Sequence, residues 1–300
     1  MNDEKWELEK SINTVTERIN DIGIFPNGNI ITVSSNLMIK IFNEKGEEIC
    51  FLSNAHELQI KCICVINNNE FLTGSNDKKI KYFKIENENK ITQIEILEGH
   101  ENNIMSIIYI DNKEVKNIIS SGFDKYIKIW EKYINNKNNK FICLTTLKFH
   151  TSPIYSCIYL GNNIFISCEA NDKIFIWENI TYNKIKEIEG TIYNNNSLKK
   201  IDNENFIFGG GNDKIIKIIN IKDGNVKFKA QTKCLVYAIS INENFIFDSG
   251  DNPFVVEIRK KDLTLIKEIN CINHKFIWSI CNFNNKLIFS ENEFLSIYKK

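Results

Sequence analysis

Residues 120–130 read SSGFDKYIKIW, and this stretch decides the fold. Two small residues lead to a Gly and an Asp, and apolar residues then alternate with polar ones up to Trp130. Alternation with a period of two is typical of a β-strand, and residues 122–125 have the composition of a tight turn. The stretch therefore predicts part of a β-hairpin in which an Asp precedes a Trp by six residues.

The same outline recurs along the chain. A small or polar pair precedes an Asp or Asn, and a bulky apolar residue follows six positions later. The anchor positions are Asn36, Asp77, Asp124, Asn171, Asp213 and Asn292, with a degraded copy around Asn252. Neighbouring anchors are 41 to 47 residues apart, except across the interval that holds the degraded copy. A period of this length indicates a repeat architecture, and seven copies fit in 300 residues.

Each well-formed repeat also has an upstream half, in which a His stands at a turn before a strand. The chain has four His, and all of them occupy this position: His56, His100, His150 and His274. The pattern resembles the WD40 repeat, which combines a Gly-His turn, an Asp turn and a strand ending in Trp-Asp. Here the terminal dipeptide is Trp130-Glu131 or Trp177-Glu178 in the best repeats and is never Trp-Asp. The resemblance covers nearly the whole chain.

In WD40 repeats the turn Asp bonds the His, the His bonds a Ser or Thr, and that hydroxyl reaches the Trp. The resemblance therefore gives a structural role to His56 and Asp77 in repeat two; His100, Ser120, Asp124 and Trp130 in repeat three; His150, Ser167 and Trp177, with Asn171, in repeat four; and His274 in repeat seven, with Ser290 and Asn292. A buried imidazole or indole N–H needs a hydrogen-bond partner. This role leaves no catalytic or metal-binding duty for the four His.

The resemblance implies an all-β fold, a seven-bladed propeller formed by residues 1–300 as one domain. The last repeat ends after its third strand, at Tyr298. Residues 5–12, KWELEKSI, alternate Trp6 and Leu8 with Glu7 and Glu9. We expect this segment to supply the outer strand of blade seven and so to close the ring.

Composition excludes several classes of function. The chain has 38 basic and 38 acidic residues, and only Arg18 and Arg259 are arginines. This balance gives no general attraction to nucleic acid or to an anionic membrane. The start lacks an apolar signal region, and no segment approaches 18 consecutive apolar residues. We therefore expect an intracellular protein of the cytoplasm or nucleus. The nine Cys include no CxxC pair, so we expect reduced, buried thiols and neither metal nor cofactor.

The resemblance also places a ligand surface at one mouth of the central channel. It is built from the residue after the first apolar one of each inner strand and from the residue before each turn Asp. The predicted binding residues are Lys61, Met105, Tyr155, Tyr237 and Trp278 from the first set, and Phe123, Asp251 and Glu291 from the second. Aromatic residues are typical binding hot spots, and the two acids favour a basic ligand. Alternatively, some of these side chains cap the channel or pack against neighbouring blades.

The first hypothesis is therefore a non-catalytic scaffold that binds a partner peptide at this mouth, as a subunit of a larger complex. An alternative is a substrate receptor of a ubiquitin ligase or a phosphopeptide reader, although clustered arginines are absent. An enzyme would need paired carboxylates in the channel, for which Asp21, Asp251 and Glu291 are the candidates. The sequence names no partner.

Overall fold

The structure is a computed structural model of the chain. It describes all residues except 1–4, 16, 87–89, 112–114, 134–139, 171–172, 190–196, 210–212, 252–253 and 274, and it leaves the side chain of Tyr133 undescribed. The described residues form 28 β-strands and no helix. These strands make seven antiparallel sheets of four strands each. The predicted seven-bladed propeller is confirmed.

Each blade is one sheet, and its strands follow one another from the channel outward. Blade one contains β2 (Ile19–Ile24), β3 (Ile30–Ser34), β4 (Ile39–Phe42) and β5 (Glu48–Leu52). Blade two contains β6 (Ile60–Val65), β7 (Glu70–Ser75), β8 (Lys79–Glu86) and β9 (Lys90–Glu98). Blade three contains β10 (Ile104–Asp111), β11 (Val115–Gly122), β12 (Ile127–Tyr133) and β13 (Ile142–Leu147). Blade four contains β14 (Ile154–Gly161), β15 (Ile164–Glu169), β16 (Lys173–Glu178) and β17 (Lys184–Glu189).

The second half of the ring has the same order. Blade five contains β18 (Leu198–Lys200), β19 (Asn205–Gly209), β20 (Ile215–Asn220) and β21 (Val226–Gln231). Blade six contains β22 (Val236–Ile241), β23 (Ile246–Gly250), β24 (Val255–Arg259) and β25 (Leu265–Asn270). Blade seven contains β26 (Ile277–Phe283), β27 (Lys286–Glu291) and β28 (Phe294–Lys299), with β1 (Glu7–Asn13) as its outer strand.

Pairing of the first strand with the last closes the ring. Strand β1 runs antiparallel to β28, from Glu7 opposite Lys299 to Asn13 opposite Phe294. Just before β1, Trp6 is buried and packs edge-on against Phe247 of blade six, with ring centroids 5.6 Å apart. The closing strand was predicted over residues 5–12 and is found one to two residues further along. Closure matters because β1 pairs with an edge of β28 that would otherwise be exposed, and so ties the start of the chain to the last blade.

Apolar residues of adjacent blades interlock to form the core. Between blades one and two, for example, Phe71 and Phe83 stack with centroids 5.4 Å apart, and Phe25 meets the edge of Phe71. Burial of such side chains is the main favourable term in folding. Five of the nine Cys are buried and pack in this way, but Cys143 is exposed, contrary to the expectation. In the described part of the chain, no helix has the length and apolarity that crossing a membrane requires.

A bulge near the start of the inner strand positions the channel mouth. In six blades the pairing of the first two strands shifts register immediately after the first residue of the inner strand. The residues at these shifts are Asn20, Lys61, Met105, Tyr155, Tyr237 and Trp278. A bulge leaves one residue out of the ladder and redirects its side chain. This geometry sets these six positions apart from the ordinary inward and outward alternation.

Candidate functional site

Blade three contains the complete hydrogen-bonded set below the mouth. The Nδ1 atom of His100 lies 2.6 Å from Asp124 Oδ2, and its Nε2 atom lies 2.7 Å from Ser120 Oγ. The indole Nε1 of Trp130 donates to the same Ser120 Oγ over 2.8 Å. The structure thus brings together the four residues that the sequence had assigned to one set.

Blade two has the same arrangement without the indole. His56 lies 2.8 Å from Asp77 Oδ2 and 2.7 Å from Thr73 Oγ1, and Phe83 takes the Trp position. Burial opposes ionisation of Asp77, but hydrogen bonds from His56 and from two backbone N–H groups outweigh it and lower its pKa to about 2. Burial lowers the pKa of His56. A neutral imidazole held between two fixed partners is structural.

Blade four joins its His to a carboxylate that the sequence pattern did not assign. The sequence paired His150 with Asn171, which lies outside the described residues. Instead, His150 Nδ1 lies 2.8 Å from Glu169 Oε2, which also accepts the backbone N–H of Thr151. Ser167 joins His150 to Trp177 with two contacts of 2.7 Å. The signal that could have found Glu169 is an acid two positions before the anchor, where blade three has Gly122.

Glu291 of blade seven stands at the same position as Glu169 and requires a correction. The sequence placed it on the rim of the mouth, but it is fully buried. Its carboxylate accepts the backbone N–H of Asn273 over 2.9 Å and the hydroxyl of Ser296 over 2.6 Å. The predicted partner His274 lies outside the described residues. Glu291 is therefore part of the blade and not of the ligand surface.

The aromatic residues of the mouth form two separate pairs. Phe123 and Tyr155 meet edge to face, with centroids 5.5 Å apart. Tyr237 and Trp278 stack almost in parallel, 5.1 Å apart with an angle of 5° between planes. All four side chains are half-buried, whereas Met105 is buried. Part of each aromatic surface is thus used in packing between blades, as the alternative interpretation expected, and part remains open.

Two further aromatic residues extend the second pair. Phe276 lies 6.0 Å from Trp278, and Phe254 meets Phe276 edge-on at 5.8 Å. Phe276 is 41% exposed, and Ile272 in the same loop is 48% exposed. We call Phe254, Phe276, Trp278 and Tyr237 the aromatic row. Sequence reasoning missed Phe254 and Phe276 because they lie in loops, outside the two repeat positions from which the resemblance builds the ligand surface.

One cationic side chain, Arg18, lies against the aromatic row, and a second, Lys61, interacts electrostatically with Arg18. The guanidinium carbon of Arg18 is 4.5 Å from the ring centroid of Trp278. Arg18 Nε donates to Asn20 Oδ1 over 2.8 Å, and Asn20 Nδ2 donates to the carbonyl of Ile60 over 2.6 Å. The next residue is Lys61, whose pKa falls to about 8 because of burial and the nearby charge of Arg18. Asn20 thus connects Arg18 to the backbone that carries Lys61.

The three carboxylates that the sequence offered for an enzyme have different hydrogen-bond partners. Asp21 is buried, where its carboxylate accepts hydrogen bonds from Ile63 N and Ser279 Oγ, and burial raises its pKa. Asp251 accepts the N–H of Leu235. The described residues contain no group of three or more His, Cys, Asp or Glu that could hold a metal. The three acids proposed for an enzyme are therefore tied to different blades, and the expectation of a basic ligand now rests on Asp251 alone.

Comparisons with known proteins agree with this geometry. The family model described as "WD domain, G-beta repeat" matches residues 47–84, 91–131 and 141–178. The ribosome biogenesis protein YTM1 of Candida glabrata is 24% identical over 51% of this chain and 34% of its own length. The ribosome biogenesis protein WDR12 homolog of Brugia malayi is 25% identical over 46% of this chain and 37% of its own length.

Among solved structures, the WD40 β-propeller domain of Doa1 superposes with a TM-score of 0.82, at 20% identity, over 99% of this chain and 98% of that one. At this identity the likeness concerns the fold alone. The chain spans only about a third of the length of the two curated relatives. What those proteins do as a whole therefore does not follow for this one.

Proposed function

Because this chain is a WD40-repeat protein with a seven-bladed propeller, we propose that it is a non-catalytic interaction scaffold that binds a segment of a partner protein at the channel mouth. The fold presents a rigid ring on which neighbouring blades contribute side chains to one surface. Fold alone does not give function, so the proposal is argued from the mouth itself. The protein would act as one subunit of a larger complex.

The aromatic row is the observation that supports this proposal. Four aromatic side chains from blades six and seven are in contact, and Phe276 and Ile272 keep much of their surface in water. Exposed apolar residues that form a contiguous patch mark interaction sites more often than single exposed ones do. Large aromatic residues also dominate the energy of protein interfaces. Phe123 and Tyr155 add a second contact point across blades three and four.

Affinity capture from native extract tests the proposal. The wild type is compared with a Phe276→Ala/Trp278→Ala variant and with a Phe123→Ala/Tyr155→Ala/Tyr237→Ala/Trp278→Ala variant, each shown to be folded by circular dichroism. Phe51→Ala is the matched control, because Phe51 is 56% exposed but lies on the outer strand of blade one. Partners lost in both mouth variants and kept in the control support the proposal. Equal capture by all four proteins would contradict it.

The names of the two relatives suggest a process in which to look for partners. Both are ribosome biogenesis proteins, and each aligns over about half of this chain. Enrichment of ribosome-assembly proteins among the mouth-dependent partners would place the complex in that process. Enrichment of ubiquitin-ligase subunits would favour the alternative, a substrate receptor. Cytoplasm and nucleus both remain expectations, which the identity of the partners would separate.

A further inference from the structure

We propose that the mouth recognises an anionic group, a carboxylate or a phosphate, on a partner segment that also carries an apolar side chain. The anionic group would be bound by Arg18 and Lys61, and the apolar side chain by the aromatic row. This inference rests on the proposed function and reverses the charge expected from the sequence. We call Arg18, Asn20 and Lys61 together the cationic site.

Arg18 is held in place with part of its hydrogen-bonding capacity unused. Its Nε donates to Asn20, and its guanidinium carbon lies over the ring of Trp278. Within the described part of the chain, neither of its terminal nitrogens donates to another residue. A guanidinium binds a carboxylate or phosphate through the paired N–H groups of its nitrogens, and contact with an aromatic ring helps to fix the orientation of those groups. The arginine is therefore oriented before any ligand arrives, which lowers the entropic cost of binding.

Lys61 adds a second positive charge. Its neighbour Ile60 accepts the Asn20 amide, so blade one and blade two are joined at the point where Lys61 leaves the ladder. Burial, together with the proximity of Arg18, lowers the pKa of Lys61. Two cations held close together repel each other, and a bound anion relieves that repulsion. The site thus favours an anion more strongly than two isolated cations would.

One acidic side chain, the exposed Glu17, interacts electrostatically with Arg18. The charge of an exposed acid is screened by solvent and salt. Glu291 is buried, and Asp251 lies in blade six, bonded to the backbone of Leu235. The face of Trp278 that could have received a cation from a ligand already carries the chain's own Arg18. A basic segment would therefore meet positive charge at blades one and two.

Selection from an unbiased peptide display library tests the inference. The wild type is the bait, and the affinities of the selected peptides are then measured for wild type, Arg18→Gln, Lys61→Gln and Lys125→Gln. Lys125 is the matched control, because it is exposed in the turn after Asp124 of blade three. We expect Asp or Glu beside Phe, Trp or Leu in the selected peptides. We also expect Arg18→Gln and Lys61→Gln each to bind roughly tenfold more weakly, which is the effect of losing one charged hydrogen bond. Lys125→Gln should bind as tightly as the wild type.

Synthetic versions of the best selected peptide then distinguish the two anionic groups. One version keeps the acid, one replaces it by Gln and one by phosphoserine. Tighter binding of the phosphoserine form would identify a phosphopeptide reader, and tighter binding of the acidic form a reader of acidic segments. Binding of the Gln form should be equally weak for wild type and Lys61→Gln. Arg18→Gln could disturb the mouth, so Lys61→Gln provides an independent measurement.

The outcomes also separate this inference from the proposed function. Selection of neutral or basic peptides whose binding depends on Trp278 would overturn the proposal of the cationic site and leave the scaffold function intact. Acidic peptides that bind Arg18→Gln and Lys61→Gln as tightly as they bind the wild type would do the same. Failure of the selection to enrich any peptide that depends on the mouth would overturn both.

Discussion

Blades three and six occupy equivalent places in the ring but fill the same positions with different chemistry. In blade three Ser120 and Lys128 face each other across β11 and β12, and Trp130 follows. The same pairing in blade six joins Asp248 to Glu257, and Arg259 stands where blade three has Trp130. One blade therefore has a hydroxyl and an indole, and the other has two acids and an arginine.

The two blades differ in the direction in which the pKa of a carboxyl group is shifted. Burial opposes ionisation of Asp124 in blade three, but hydrogen bonds from His100 and from backbone N–H groups outweigh it and lower its pKa. In blade six, burial raises the pKa of Asp248 to about 8, and Glu257 adds to the increase while Arg259 opposes it. The two carboxyl groups are thus shifted in opposite directions.

The comparison teaches that the fold accepts different polar side chains at this position and does not need a particular residue type. Arg259 Nε donates to Asp248 over 2.8 Å, as Trp130 Nε1 donates to Ser120. Its terminal nitrogens reach Glu257 at 3.0 Å and the carbonyl of Leu263 at 3.2 Å. The family model matches blade three but not blade six. Ionic groups in a core are more sensitive to loss of one partner than neutral groups are.

Removing the arginine should give the largest effect. Arg259→Leu would leave Asp248 and Glu257 buried without their cation, and we expect a loss of about 3–5 kcal/mol in the free energy of unfolding. Urea unfolding at pH 7 measures this loss. The matched test converts the site to the blade-three chemistry with Asp248→Ser/Glu257→Lys/Arg259→Trp, which should recover most of the lost stability. If Arg259→Leu alone were as stable as the wild type, the arginine would not be needed for stability.

Sequence reasoning predicted the frame of the molecule well. Repeat spacing gave seven blades, and the N-terminal alternation gave the closing strand, because both depend on a periodicity that many residues share. The complete set of blade three followed from the resemblance to the WD40 repeat. Such features are visible in the sequence because each repeat needs the same pairing and the same turn.

The candidate site was harder to predict. Glu169 and Glu291 enter the hydrogen-bonded sets from positions that the repeat pattern did not assign to them, two residues before Asn171 and one residue before Asn292. The longer side chain of Glu reaches the donors of the turn from there. Arg18 precedes the first repeat strand by one residue, and its contact with Trp278 joins the two ends of the ring. Contacts between residues so distant in sequence have no local pattern. They follow only from ring closure.

The second prediction concerns the neutral blade. Ser120→Ala removes the partner of both His100 Nε2 and Trp130 Nε1, and we expect a loss of roughly 2–4 kcal/mol from two unsatisfied buried groups. The equivalent change in blade two, Thr73→Val, deprives only His56 of a partner because Phe83 has no N–H. It should cost about half as much. Equal losses in the two variants, measured by urea unfolding, would show that the indole bond contributes nothing.

The third prediction uses pH to separate the two blades. The pKa of Asp248 is about 8 in the folded protein and near its ordinary value of 3.8 when unfolded, so between these pH values the folded state holds an extra proton. The stability that this proton provides is complete below about pH 4 and is lost as pH rises toward 8. Asp248→Asn cannot ionise, so its stability relative to wild type should increase from pH 5 to pH 9. The measurement is the free energy of unfolding as a function of pH. If it changed in parallel for the two proteins, the raised pKa of Asp248 would be contradicted.

The smallest effect is expected in blade four, where a single carboxylate serves one neutral His. Glu169→Gln keeps an oxygen within reach of His150 Nδ1 and the N–H of Thr151, and it removes only the charge. A hydrogen bond to a charged acceptor is stronger than one to a neutral acceptor, so we expect a loss of about 1 kcal/mol. Glu169→Ala removes the acceptor and should cost more. If Gln and Ala lowered the unfolding midpoint equally, the charge of Glu169 would matter more than the hydrogen bonds it accepts. Blade four would then depend on charge, as blade six does.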